Sequence, residues 1–183
     1  MFILGYMYPW FSDHICIPDV LISIYAPVIL LAGIAKHWYP FSETTSSTAE
    51  FLSSKTQESG ADETILSSIE ILCKIGGYLV LFSIGIKLIE NITVIPDPIR
   101  LGLIGIMEMT TGIRAFAGIK DWKIGYIGSV AILTFGGLSG LFQTKSVLEN
   151  KKKAGLSIRP YIFWKSAHAI LSAGLAYLLC SNN

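Results

Sequence analysis

Glu108, Thr110, Thr111 and Gly112 lie within one apolar run, Leu101–Arg114. Gly136, Gly137, Ser139 and Gln143 lie within a second, Ile124–Gln143. A carboxylate, three hydroxyls and an amide inside apolar sequence are groups that hold a small polar solute. The glycines beside them leave backbone open to the same solute. An acid within a span is costly and normally faces a cavity or a partner, which makes Glu108 the leading single candidate. Its bland alternative is a structural ion pair with Arg114 or with a lysine of another helix. For Thr110, Thr111, Gly112, Gly136, Gly137 and Ser139 the alternative is close helix packing, because small residues let helices approach. Gln143 is more telling, since its amide needs partners. A half-helix starting near Gly136-Gly137 would favour an anion through its free N–H groups and dipole.

Such groups need elements that bring them together inside a membrane. The chain has 183 residues, 52% hydrophobic and only 15% charged, with a mean hydropathy of +0.57. A soluble domain is nearer about one quarter charged. The composition therefore points to an all-α, polytopic membrane helix bundle forming one domain over residues 1–183. Unwound backbone is tolerated in a membrane only where protein or a water-filled cavity satisfies it. Two interrupted apolar stretches are accordingly the pattern of a transporter binding site built on broken or re-entrant helices.

Five membrane segments are expected. The first runs from about Val20 to Ala35, kinked by Pro27. The second runs from about Ile65 to Ile89, with Glu70 and Lys74 spaced to pair across one turn. It either spans or turns back near Gly76-Gly77. The interrupted pair follows, about Ile99 to Ala117 and Trp122 to Gln143, and the last runs from about Tyr161 to Leu179. A polar, acidic loop at about 39–63 separates the first two. Lys145, Lys151, Lys152, Lys153 and Arg159 make the connector before the last span basic. Lys and Arg collect on the cytoplasmic side, so this connector is placed inside. Five simple crossings then put the acidic loop and the C-terminus outside and the N-terminus inside, with Lys120 and Lys123 on the unexpected side. Trp10, Trp38, Trp122 and Trp164 lie near span ends, as an aromatic belt has them.

Other features carry less. A net charge of +1 gives no reason to expect nucleic acid. Cys16, Cys73 and Cys180 have neither CxxC spacing nor an even count, so no disulfide framework or metal site is expected. The opening residues lack a basic segment and an A-x-A site, so no signal peptide is read. Asn91-Ile-Thr93 is a glycosylation sequon by pattern, without meaning on the inside of a bacterial membrane. Gly137-Leu-Ser139-Gly140 matches the short rhomboid protease motif, with His168 as the conceivable base. That dyad requires hydrogen-bond reach and ranks third among the readings. His168 is otherwise expected as a packed, hydrogen-bonded residue. Lys165 is expected to snorkel toward the basic connector. No catalytic residue, metal or cofactor is assigned.

The order of elements also carries a resemblance. It rests on Ile75-Gly-Gly-Tyr-Leu-Val-Leu-Phe-Ser-Ile-Gly85, Gly105-Ile-Met-Glu-Met-Thr-Thr-Gly-Ile113, Phe135-Gly-Gly-Leu-Ser-Gly-Leu-Phe-Gln143, Arg159-Pro-Tyr161 and Lys165-Ser-Ala-His168. This series resembles the C-terminal half of the nucleoside recognition (Gate) domain family, and within it the sporulation integral membrane protein YlbJ group. The resemblance implies movement or recognition of a small polar or anionic solute by alternating access at a bacterial cell membrane, with a role in sporulation. It also implies a homo-oligomer or a protein partner supplying the matching N-terminal half. A non-transport membrane scaffold, or an inactive fragment, is the runner-up.

Overall fold

The computed structural model describes residues 2–38, 61–150 and 158–182. Most of the 39–63 loop, and Lys151, Lys152 and Lys153 of the basic connector, lie outside the described residues. Among the described residues there is no strand. A short π-helix, Ile3–Met7, and a 3-10 turn, Tyr8–Trp10, lead into seven α-helices. These are α1 (Ile17–Trp38), α2 (Ala61–Asn91), α3 (Asp97–Met107), α4 (Met109–Ala117), α5 (Trp122–Phe135), α6 (Gly137–Asn150) and α7 (Ile158–Asn182). Among the described residues, four stretches are long and apolar enough to cross a membrane: Ile17–Trp38, Ile65–Asn91, Trp122–Ser146 and Ile158–Ser181. Their outward faces carry large apolar side chains such as Ile29, Leu66, Leu72 and Ile170, which suit lipid and would be a liability in water.

Local chemistry accounts for most element boundaries. Asp19 in the first turn of α1 and Lys36 and His37 in its last turn complement its dipole. Pro27 inside α1 removes one rung of the hydrogen-bond ladder. His168 of α7 donates its Nε2–H to the Ile24 carbonyl of the same region at 2.9 Å, so the histidine is a packed, bonded residue as expected. Helix α2 runs unbroken through Gly76-Gly77, and the turn considered there does not form. A glycine within a helix costs only about 1 kcal/mol relative to alanine, and no other element packs within 4 Å of a β-carbon at either position. The Lys74–Glu70 pair forms at 2.6 Å, on the exposed face of α2.

The stretch expected as a single interrupted span, about Ile99 to Ala117, is instead a helical hairpin. Helices α3 and α4 fold back on each other at Glu108, whose backbone is extended (φ −146°, ψ 127°). Two glycines permit the close approach. A β-carbon at Gly112 would lie 2.5 Å from the Gly105 Cα, nearer than any real contact. At 1.5 Å per residue, the 11 residues of α3 and the nine of α4 each reach only about half a bilayer.

The main core lies where the N-terminal segment, α1, α4, α5 and α7 meet. It contains Met7, Phe11, Val20, Ile24, Ile113, Tyr126 and Val130. Helix α5 is antiparallel to both α4 and α7. Phe116 of α4 lies against Gly125 and Gly128 of α5, and Lys123 of α5 reaches the Cys180 carbonyl of α7 at 2.6 Å. At Gly136 the chain leaves α7, and α6 runs on beside α2 and α3. There Tyr78 and Phe82 pack on Phe142.

Candidate functional site

The two interruptions touch. Helix α5 ends at Phe135 because Gly136 adopts the left-handed conformation (φ 82°) and donates its N–H to Ile132 O at 2.9 Å, the glycine-closed helix end. Gly137 follows, also at positive φ (68°). Its Cα faces the hairpin tip so closely that a β-carbon would lie 3.1 Å from Met109 N, 3.3 Å from Glu108 Cα and 3.3 Å from Met107 O. The N-terminal ends of α4 and α6 and the C-terminal ends of α3 and α5 therefore converge on one point.

Each charged residue there complements the helix end beside it. Glu108 is 6% exposed and caps α4. One carboxylate oxygen accepts from Thr110 N at 2.9 Å. The other accepts from Thr111 N at 2.7 Å and from the Thr110 hydroxyl. The negative charge is held by a helix N-terminus, and Glu108 makes no ion pair among the described residues. The ion pair with Arg114 is not formed. A carboxylate offers about four lone-pair positions, and the cap takes at least three of them. Opposite it, Lys165 of α7 donates to Thr134 O at 3.3 Å, at the carbonyl end of α5. The expectation that Lys165 snorkels to the basic connector is thus corrected. Its Nζ lies 3.6 Å from where a Gly136 β-carbon would be. The signal was a lysine placed three residues before His168 on an apolar helix, and it did not distinguish the two destinations. Tyr6, also unassigned from sequence, donates its hydroxyl to Thr110 O at 3.0 Å and ties the N-terminal segment to the tip.

The remaining expected residues divide. Ser139 is buried and accepts from Gln143 Nε2 at 3.2 Å, one turn on along α6. No hydrogen bond joins either to Glu108. Gly112 is a packing residue between Gly105 and Ile132. Thr110 and Thr111 belong to the cap. The Ser139–His168 hydrogen bond that a dyad needs is absent, because His168 is bonded to Ile24 O. Among the described residues no cluster of three metal-ligating side chains occurs.

Compared with protein-family models, curated proteins and solved structures, the chain matches none. The site therefore stands on its geometry: a hairpin tip and a helix interruption in contact, with one buried acid and one lysine at opposite helix ends.

Proposed function

We propose that this chain is a transporter-like integral membrane protein of a bacterial cell membrane that moves or recognises a small polar solute by alternating access. The contact between the α3–α4 tip and the Gly136-Gly137 interruption carries this reading. In transporters the site is formed by discontinuous helices whose ends face the solute. The solute would meet the Glu108 carboxylate, the Lys165 ammonium and the backbone around Gly136-Gly137. Ser139 and Gln143 would line the same passage on α6. The sequence resemblance to the Gate family, its sporulation group included, is a second support for this reading and the source of its proposed role in sporulation. Self-association, or a partner bearing a second such set, would cover the polar backbone that a single set leaves toward lipid. The scaffold reading draws on a different observation, that capping already engages the Glu108 carboxylate three times.

The deciding experiment is uptake. The purified chain in liposomes is expected to accumulate at least one member of a panel of labelled nucleosides, nucleobases and small organic acids. A well-folded preparation that accumulates none favours the scaffold.

The membrane arrangement is tested separately. Counting the hairpin as no crossing and Trp122–Ser146 as one gives four crossings. The α1–α2 and α6–α7 connections then share a side, which the basic connector makes cytoplasmic. In a cysteine-free background, Trp38→Cys and Ser146→Cys are both expected to be shielded from an impermeant thiol reagent outside intact cells, while Asn91→Cys reacts. Opposite labelling of positions 38 and 146 would restore five crossings.

A further inference from the structure

A polar cavity of about 690 Å³ lies between α2 and α4, lined by Ser83, Lys87 and Glu90 on one wall and by Thr111 and Arg114 on the other. It sits below the hairpin tip, toward the end where α2 and α4 finish. Most of the surface of α2 is apolar, so five polar groups gathered on one cavity are not accounted for by lipid contact. Their charges are uneven. Glu90 is paired with Lys87 at 2.6 Å. Arg114 has no ion-pair partner among the described residues. The cavity thus carries one net positive charge, with Arg114 outside any ion pair among the described residues.

We infer that this cavity is a binding site for a phosphate-type oxyanion, held by Arg114 with Lys87 beside it. A guanidinium offers a planar fork of donors that matches two oxygens of one phosphate, and a lysine ammonium adds a mobile second charge. The Thr111 and Ser83 hydroxyls supply neutral donors on either wall. Thr111 is the residue whose N–H holds Glu108, so a ligand here would rest against the cap itself. Lys87 and Glu90 fall in the last turns of the Ile65–Asn91 stretch, and Arg114 in the last turn of α4. This level is open both to an anion from water and to the headgroup of an anionic phospholipid. The inference rests on the membrane-embedded reading of the hairpin. It does not require transport.

The test is binding to the whole purified chain. Thermal unfolding in detergent is followed with inorganic phosphate replacing chloride at constant ionic strength. It is followed again in phosphatidylcholine nanodiscs with and without phosphatidylglycerol. Ligand at about ten times its dissociation constant should raise the midpoint by roughly 3–5 °C. Arg114→Gln should abolish the rise, Arg114→Lys should retain part of it and Lys120→Gln should leave it intact. Circular dichroism and a monodisperse elution profile establish that each variant is folded. Should Arg114→Gln fail that check, Lys87→Gln, on a side chain exposed to the cavity mouth, replaces it and should reduce the rise. A shift with inorganic phosphate assigns the site to a free anion, and a shift with phosphatidylglycerol alone assigns it to a headgroup. No shift in either arm, or a full shift in folded Arg114→Gln, overturns the site. Because uptake is not measured, a chain that binds phosphate yet moves nothing would sink the transport proposal and leave this one standing.

Discussion

Valine in place of Gly112 is expected to keep the α3–α4 hairpin from closing. Its β-carbon would lie 2.5 Å from the Gly105 Cα, 3.3 Å from the Gly105 N and 3.2 Å from the Ile132 Cγ2. Ile132 can turn aside, but the Gly105 backbone moves only if α3 moves with it. Overpacking a formed core costs about 1–3 kcal/mol where side chains yield, and a backbone clash belongs at or above the top of that range. For a chain of this length, a loss of about 3 kcal/mol lowers the unfolding midpoint by roughly 6–12 °C. The control is Gly102→Val on the same hairpin, where a β-carbon meets nothing within 4 Å; it carries the helix-propensity cost alone. Equal midpoints for the two variants would mean that α3 and α4 do not meet at these glycines.

Glu108 gives the second large effect, and two substitutions separate its two roles. Glu108→Ala removes the acceptor for Thr110 N and Thr111 N, which are then unpaired beside a buried tip. Each unsatisfied donor costs about 1–3 kcal/mol, and losses of that size lower cellular abundance several-fold. Glu108→Gln keeps one carbonyl oxygen for the cap and removes the charge. It is expected to remain nearer normal abundance and to lose uptake. Neutralising a lysine or arginine elsewhere should rescue neither, because Glu108 is balanced by a helix end and not by a cation. Normal uptake by Glu108→Gln would reduce the acid to a cap and defeat its assignment to the solute.

These variants also mark how far the sequence could be read. The interruption at Gly136-Gly137 was legible because paired glycines after an apolar helix signal a left-handed helix end, and that end forms. The interruption at Glu108 was legible as a polar group within an apolar run. Its reversal of direction was not, since neither Met107 nor Met109 is a turn residue. The reversal depends on Gly105 and Gly112 meeting across the hairpin, and single-chain spacing does not reveal which glycines pack together. At Gly76-Gly77 the sequence left a span and a turn equally open, and α2 continues. Without a second element to meet, glycines there merely weaken a helix. Lys165 was misplaced for a related reason, as a long side chain one turn from two acceptable destinations reads the same for both.

The seam between α5 and α7 has a mechanical consequence. Lys123 fastens one end to the Cys180 carbonyl, and Lys165 fastens the other to the Thr134 carbonyl. Between these fastenings the buried hydroxyls of Ser129 and Ser172 have no hydrogen-bond partner among the described residues, so these two hydroxyls add no polar bond to the middle of the seam. Sliding one helix along the other would break both bonds at once. With α1 joined to α7 through the His168 bond, these three helices are tied into one block. Helices α2 and α6 meet each other through Tyr78, Phe82 and Phe142. The chain passes from α5 of this block into α6 through Gly136-Gly137, two residues at positive φ. Without side chains, those two residues oppose backbone rotation less than any others at the junction, so a change in the angle between α6 and the block costs least there.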